Sequence, residues 1–247
     1  MRVFLAGGSG GIGSATCRKL AKRGWDVALT YRRNKQAAEQ VADEVVAEGR
    51  RCLIGRVDLV SFGEVKQFAD TVISGFGGLD AVVYAAGPHL RMRHINAISP
   101  IEWATTVNSD INGCFNVVAA TLPHFREVGG GAYVAVVTGA VDTAAPRDVM
   151  SAAPKAAIQS LMRGLAAEEG RNNIRANCVG PGWIDTPLSR DALETIGPES
   201  AERWLRAVPL RRFGKVDDVA HAIAFLLSPE AGYITGETIS VAGGLQI

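Results

Sequence analysis

The first residues of the chain that could do chemistry are the glycines that follow its first apolar run. After Val3–Ala6 the sequence continues as Gly7, Gly8, Ser9, Gly10, Gly11, Ile12 and Gly13, and helical spacing begins there. Glycines let the backbone turn sharply and approach a ligand, and the N–H groups that open a helix stabilise an anion. This order predicts a dinucleotide diphosphate site formed by Gly7, Ser9, Gly10, Gly11, Ile12 and Gly13. The alternative is a tight turn without a ligand.

The residues after the second predicted strand distinguish between the two nicotinamide dinucleotides. Sites for NAD(H) usually place an acidic residue there to hold the ribose hydroxyls. Here Val27–Thr30 is followed by Tyr31, Arg32 and Arg33. Guanidinium groups match the geometry of a phosphate. The sequence therefore predicts NADP(H) rather than NAD(H), held at its 2′-phosphate by Arg32 and Arg33. The alternative is that both arginines lie in a solvated loop.

Short apolar runs that alternate with longer helical patterns must position these residues. The predicted strands are Val3–Ala6, Val27–Thr30, Arg51–Val57, Leu79–Ala85, Tyr133–Val137, Ile174–Val179 and Thr238–Val241. The predicted helices are Ile12–Lys22, Gln36–Ala47, Glu64–Ile73, Ile101–Phe125, Ser151–Glu169 and Val216–Leu227. This alternation implies right-handed crossovers and a parallel sheet with helices on both faces. We expect an α/β protein with one domain over residues 1–247, a Rossmann fold with a doubly wound parallel sheet of about seven strands. Residues 187–210 interrupt the alternation, and we expect a mobile helical flap there.

The composition argues against several classes of function. The formal net charge is only +1, so no long-range field should attract nucleic acid or an anionic membrane. The cysteines form no CxxC pair and have no histidine at metal-ligand spacing, which predicts buried thiols and no metal site. No apolar run reaches the length of a membrane span, and Met1 and Arg2 lead directly into the first predicted strand. We expect a cytoplasmic protein with a small-molecule substrate.

Six segments together carry a resemblance to a known family. They are the glycines Gly7, Gly11 and Gly13, the pair Asp58-Leu59, the run Ala85-Ala86-Gly87, the segment Pro181-Gly182-Trp183-Ile184-Asp185-Thr186, and the closing Arg212-Phe213-Gly214 and Ala242-Gly243-Gly244. Over essentially its whole length the sequence resembles the short-chain dehydrogenase/reductase family, and most of all its 3-oxoacyl-carrier-protein reductase type. The resemblance implies an NAD(P)-dependent oxidoreductase that forms a homotetramer or homodimer through its long helices. It also implies that Asp58 and Leu59 hold adenine, that Ala85, Ala86 and Gly87 belong to the cofactor site, and that Pro181, Gly182, Ile184 and Thr186 close over the nicotinamide.

The catalytic positions of this family are only partly matched. The family has a tyrosine four residues before a lysine, on one face of a helix. Lys155 matches the lysine and Thr138 the family's serine, whereas Ser151 replaces the tyrosine. Asp110 replaces the family's asparagine, with Asn108 as an alternative alignment. Two further replacements are Tyr84, which opens the Ala85-Ala86-Gly87 run, and Ala6, which precedes the glycine turn.

The resemblance implies a role for each matched residue. Lys155 would hold the nicotinamide ribose, and Thr138 would hold a carbonyl oxygen. Ser151 is too short, and its hydroxyl too weakly acidic, to donate a proton as a phenol does. We interpret Ser151 as a space-filling residue or a helix N-cap, and Asp110 as the partner of Lys155 in a structural ion pair.

Three functions are compatible with these replacements. The first is an NADP(H)-dependent oxidoreductase for a carbonyl or a conjugated enone or enoyl group, with a displaced proton donor. The candidate donors are His89, His94, Asp142, Asp148 and Asp110. The second is a cofactor-binding regulatory or scaffold subunit without redox turnover. The third is a non-redox cyclase or dehydratase on the same fold.

Overall fold

One parallel sheet organises the protein. The computed structural model describes residues 1–88, 90–143, 145–187, 189–190 and 197–245. Within these residues, seven strands pair in the order β3-β2-β1-β4-β5-β6-β7. They are β1 Arg2–Ala6, β2 Asp26–Tyr31, β3 Cys52–Arg56, β4 Ala81–Tyr84, β5 Gly131–Val136, β6 Ile174–Pro181 and β7 Thr238–Val241. The doubly wound α/β fold is confirmed, with strand boundaries that differ by one or two residues.

Helices cover both faces of this sheet. They are α1 Gly11–Lys22, α2 Lys35–Ala47, α3 Phe62–Phe76, α4 Pro100–Val107, α5 Gly113–Val128, α6 Ala140–Thr143, α7 Val149–Glu169, α8 Pro198–Ala207 and α9 Val216–Leu226. Side chains alternate along a strand, so in β1 Phe4 packs with α3, α5 and α7, while Val3 and Leu5 pack with α1, α2 and α9. Burial on both faces explains why the strands are almost continuously apolar.

The strand order reverses between β1 and β4, since the chain runs outward from β1 to β3 and then returns to β4. At such a switch point, loops from the carboxyl ends of the two strands diverge and leave a crevice. The glycine turn follows β1 at this edge, and Ala85 and Ala86 follow β4. The fold therefore brings these two predicted segments together.

The prediction of one continuous helix over Ile101–Phe125 is wrong, because the helix is interrupted. Helices α4 and α5 are joined by a π-helical turn at Asn108–Asn112. A π turn inserts one residue into the helical repeat, which apolar periodicity does not reveal, and such turns are frequent at functional sites. The buried Asp110 lies in this turn. Helix α5 ends at Gly129, whose φ of 72° is left-handed.

The N-cap interpretation of Ser151 is also wrong. Helix α7 begins at Val149, so the N-cap position belongs to Asp148 and Ser151 lies within the first turn. The short helix α6, which was not predicted, precedes it. In the expected flap, α8 is helical, whereas Leu188 and residues 191–196 lie outside the described residues.

Candidate active site

The glycine turn after β1 leaves no room for a side chain at several positions, Gly7 and Gly13 among them. A Cβ atom on Gly13 would lie 2.2 Å from the carbonyl oxygen of Gly7, and one on Gly7 would lie 2.8 Å from Cα of Ala86. Gly7 also has a left-handed φ of 87°. The first N–H groups of α1 have no intrahelical acceptor, and the N-cap Gly10 has no side chain to satisfy them. The turn therefore fits a diphosphate held by backbone N–H groups.

A threonine on the neighbouring strand fixes this turn, and the sequence analysis did not identify it. The N–H of Gly7 donates to Oγ1 of Thr30 at 3.1 Å, and the N–H of Gly8 donates to the Thr30 carbonyl at 3.0 Å. Thr30 is buried in the last part of β2. A hydroxyl residue that ends an otherwise apolar strand beside a glycine turn was the available signal.

The two predicted 2′-phosphate ligands follow β2, next to the predicted adenine site. One guanidinium nitrogen of Arg32 lies 3.3 Å from Oδ2 of Asp58, and Oδ1 of Asp58 accepts from the N–H of Val60 at 3.2 Å. Arg33 is exposed. The structure therefore places the basic corner formed by Arg32 and Arg33 directly beside Asp58. In the sequence analysis, the two arginines and Asp58 were separate parts of the site.

A buried ion pair links the π turn to helix α7. Nζ of Lys155 lies 2.8 Å from Oδ1 of Asp110, with 11% and 1% of the two side chains exposed. Nζ also donates to the carbonyl oxygen of Ala86 at 3.2 Å. Gly87 lies beside the pair, since a Cβ atom there would be 3.5 Å from Nζ. Asn108, the alternative to Asp110, is exposed, and its Oδ1 accepts from Nδ2 of Asn112 at 2.6 Å.

Lys155 keeps one donor available. An ammonium group has three N–H donors, and two are used on Asp110 and Ala86. Oδ2 of Asp110 is buried without a hydrogen-bond partner among the described residues. Unsatisfied buried acceptors cost about 1–3 kcal/mol, and polar atoms left open beside a glycine turn suit a ligand that carries hydroxyl groups.

Tyr84 supports the π turn rather than the reaction. Its hydroxyl donates to the backbone carbonyl oxygen of Asp110 at 3.0 Å, and Nζ of Lys155 lies 5.6 Å from the centre of its ring. Burial raises the pKa of this phenol well above its ordinary value. A phenol that is both buried and already donating cannot take over the role of a tyrosine at position 151.

The other two predicted catalytic residues lie at the same edge of the sheet. Thr138 follows β5, and its Oγ1 accepts from the N–H of Ala140 at 3.2 Å. This leaves the Thr138 hydroxyl hydrogen available to a substrate oxygen. Ser151 is half-buried in the first turn of α7, four residues before Lys155 on the same helix face.

The candidate proton donors have different environments. His94 is exposed, and its Nε2 accepts from Nε of Arg147 at 3.0 Å. Asp142 is exposed on α6, and Asp110 is engaged by Lys155. Asp148 is half-buried, and burial raises the pKa of its carboxyl to about 6. His89 lies outside the described residues.

The segment that follows β6 reaches the glycine turn from the other side. Pro181 is the last residue of β6, whereas the sequence placed it in the loop. A Cβ atom on Gly11 would lie 3.3 Å from Cγ2 of Thr186, which brings this segment to the start of α1. Ile184 is buried and pairs with Gly214 in an isolated β-bridge.

The closing segments of the chain surround a separate cavity. Its volume is about 310 Å³, and its lining includes Trp183, Arg212, Gly214, Ala242 and Gly243. Lys155 and Ser151 do not line it. Its lining contains none of the predicted catalytic groups.

A Rossmann sheet with this glycine turn and an adjacent lysine defines a class of nicotinamide-dependent oxidoreductases. The family model described as Enoyl-(Acyl carrier protein) reductase matches residues 6–246. The 3-oxoacyl-[acyl-carrier-protein] reductase FabG of Staphylococcus aureus strain Mu50 is 34% identical over 250 residues, which cover 99% of this chain and 98% of the relative.

Solved structures give the same assignment. A short-chain type dehydrogenase/reductase from Mycobacterium ulcerans has a TM-score of 0.93 at 28% identity, covering 99% of this chain and 89% of that one. An NAD⁺-bound xylitol dehydrogenase has a TM-score of 0.93 at 25% identity, covering 98% of each chain. The chain belongs to the short-chain dehydrogenase/reductase family and is an NAD(P)-dependent oxidoreductase. Within its described residues, no helix combines the length and apolarity that crossing a bilayer requires.

Proposed function

We propose that this chain is an NADP(H)-dependent reductase of a carbonyl, or of a conjugated enone or enoyl group, in a small molecule. The observation that carries the proposal is the position of Lys155, which contacts Ala86 and Gly87 beside the glycine turn. Residue 151 of the same helix face has no phenol, so the proton must come from another group.

The residues divide into those that hold the cofactor and those that hold the substrate. When bound, the dinucleotide supplies a hydride from its nicotinamide ring. The N–H groups of Gly11, Ile12 and Gly13 face its diphosphate, and the free donor of Lys155 holds a ribose hydroxyl. Asp58 and Leu59 line the adenine site. Pro181, Gly182, Ile184 and Thr186 cover the nicotinamide, together with Ala85, Ala86 and Gly87.

On the substrate side, the Thr138 hydroxyl holds the reacting oxygen. Ser151 contributes space beside it rather than a proton. A positioned general acid is worth a factor of about 10²–10⁴ in rate, so the reductase needs a donor elsewhere or turns over correspondingly slowly.

The preference for NADP(H) over NAD(H) is supported by Arg32 and Arg33. Both are exposed at the carboxyl end of β2, and no acidic residue follows this strand directly. The contact of Arg32 with Asp58 is long, at 3.3 Å. Arg32 can therefore turn to a 2′-phosphate with little loss of interaction energy.

A cofactor-binding subunit without turnover is the second candidate, favoured by one observation. Asp110 neutralises the charge of Lys155, and Ser151 cannot donate a proton to a substrate. The quoted relatives are named reductases or dehydrogenases, which favours the enzyme.

Oxidation of NADPH by the purified protein, followed by absorbance, tests the proposal. The panel comprises 3-oxoacyl thioesters, enones and enoyl thioesters, with Ser151→Tyr measured in parallel. We expect steady oxidation with at least one panel member in the wild type. Turnover that is absent from the wild type and restored in Ser151→Tyr would instead support the subunit without turnover.

The protein is also proposed to act in the cytoplasm as a homotetramer or homodimer. The helices expected to form the interface expose large apolar side chains, with Ile101 on α4 79% exposed and Phe115 on α5 54% exposed. Exposed apolar surface of this kind is typical of interaction sites. Sedimentation of the wild type and of Phe115→Glu checks the assembly, which the charged variant should weaken.

A further inference from the structure

The geometry of helix α7 indicates where a phenol at position 151 would act. Long side chains on a helix point back toward its N-terminus, so each covers the turn before its own Cα atom. A tyrosine oxygen at position 151 would therefore lie over the turn that begins at Asp148. Asp148, Ser151 and Lys155 are spaced three and four residues apart, which places them in one row on the helix face.

The carboxyl group of Asp148 is not used to cap this helix. Aspartate is a preferred N-cap residue because its side chain can accept from the first N–H groups. Here φ is −109° and ψ is 10°, and the side chain makes no cap hydrogen bond. The backbone does this work instead, because the Asp148 carbonyl accepts from the N–H groups of Ser151 and Ala152 at 3.0 and 2.9 Å. Among the described residues, the half-buried carboxyl is thus free of a capping role.

The loop that carries Asp148 is held in place from outside the helix. The carbonyl oxygen of Arg147 accepts from the N–H of Arg93 at 3.0 Å, and the Arg147 side chain donates to His94. Arg147 has a left-handed φ of 70°. For a non-glycine residue this conformation persists only where the surroundings impose it, often at functional sites.

The charged groups of these neighbouring segments have other partners. The guanidinium of Arg93 forms an ion pair with Glu102 at 2.6 Å. On α7 itself, the ammonium of Lys155 is neutralised by Asp110. Burial is therefore the cause of the raised pKa of the Asp148 carboxyl, which at about 6 suits a proton donor near neutral pH.

We propose that Asp148 protonates the substrate oxygen in place of the missing tyrosine, an inference that rests on the reductase function proposed above. The carbonyl carbon gains a hydride from NADPH, and the π-electron pair of the carbonyl moves to its oxygen. That oxygen takes the proton of the Asp148 carboxyl, and the resulting carboxylate is reprotonated by water. Overall, NADPH, a carbonyl compound and one proton are converted into NADP⁺ and an alcohol.

Asp148→Asn tests this assignment, with Asp43→Asn as the matched control. Asparagine caps helices as well as aspartate does, so the variant should fold. We expect Asp148→Asn to lower kcat by a factor of about 10²–10⁴ with unchanged NADPH affinity. Asp43→Asn should match the wild type, since this carboxylate is exposed on α2. Asp148→Glu, which restores an acid, should recover part of the rate.

A second readout needs no turnover. The infrared difference spectrum of the cofactor-free wild type minus Asp148→Asn isolates the band of the protonated Asp148 carboxyl. This band should disappear as the pH rises through about 6. The wild-type kcat for reduction should fall over the same range, because the acid form is the active one.

The outcomes separate the two proposals. If the wild type and Asp148→Asn oxidise NADPH at equal rates, the role of Asp148 is wrong and the reductase function is retained. If the wild type binds NADPH but reduces no panel member, the reductase function and the role of Asp148 are both wrong. A carboxyl band that vanishes near pH 4 would also contradict the assignment, because the group would then be an ordinary exposed acid.

Discussion

Nζ of Lys155 donates to Oδ1 of Asp110 at 2.8 Å in a nearly solvent-free pocket between helix α7 and the π turn. The contact sets two opposite charges against each other, which offsets the cost of burying each of them. It also sets the direction of the ammonium group, which contacts the carbonyl oxygen of Ala86. We propose that Asp110 positions Lys155 and takes no part in proton transfer.

Breaking this pair should destabilise the protein. Asp110→Asn leaves the buried Lys155 ammonium without a counter-charge, and such a loss typically costs about 3–5 kcal/mol. Urea unfolding measures the change in the free energy of unfolding. The double variant Asp110→Asn/Lys155→Met should be destabilised by less than the sum of the two single variants. Additive losses would show that the two groups do not interact as described.

Two glycines of the turn after β1, Gly13 and Gly10, should respond differently to a methyl group. Gly13→Ala places Cβ 2.2 Å from the carbonyl oxygen of Gly7, so the turn must distort. In Gly10→Ala the nearest atom is 3.5 Å away, which is ordinary van der Waals contact. Quenching of protein fluorescence by NADPH should show affinity lowered more than about tenfold, or 1.4 kcal/mol, in Gly13→Ala. Equal affinities in the two variants would argue against a diphosphate on this turn.

The basic corner after β2 should control the choice of dinucleotide. Hydrogen bonds to charged groups are worth about 1.5–3 kcal/mol, so Arg32→Ala/Arg33→Ala should lose roughly ten- to hundredfold in NADPH affinity. NADH lacks the 2′-phosphate and should bind the variant as it binds the wild type. Arg23→Ala, an exposed arginine at the other end of α1, is the control. A parallel loss for both dinucleotides would place the arginines elsewhere on the cofactor.

Asp148 should also make the free energy of unfolding depend on pH. Its pKa is raised in the folded state from 3.8 to about 6, so folding favours the protonated carboxyl. The stability that this provides is complete below about pH 4 and is lost as the pH rises through about 6. Asp148→Asn should therefore match the wild type at low pH and exceed it above pH 6, by less than about 3 kcal/mol because the group is only partly buried. Urea unfolding at several pH values measures this difference, and a constant difference would contradict the raised pKa.

The elements were predictable from sequence because burial on both faces makes the strands continuously apolar. The glycine turn followed from a local pattern, whereas Lys155 and Thr138 followed from the resemblance to the family. The pairing of Asp110 with Lys155 was also expected, since both aligned with family positions that face each other.

Other features depend on the folded backbone and leave no local signal. The π turn at Asn108–Asn112 is a shift of backbone hydrogen bonds within an otherwise regular apolar pattern. Helix α7 begins directly after Asp148, which follows the left-handed Arg147, and a backbone conformation of this kind has no signature in the apolar pattern. The contact of Arg32 with Asp58 joins the ends of two neighbouring strands, and the sequence alone did not set their register.

Calorimetric titration of the purified protein with NADPH and with NADH tests directly whether the turn after β1 binds a dinucleotide. We expect saturable heat with NADPH at one site per chain and weaker binding of NADH, with both affinities reduced in Gly13→Ala. If no oxidised or reduced pyridine nucleotide gives heat at millimolar concentration, the turn after β1 does not bind a dinucleotide, and the proposed reductase and the role of Asp148 fall with it.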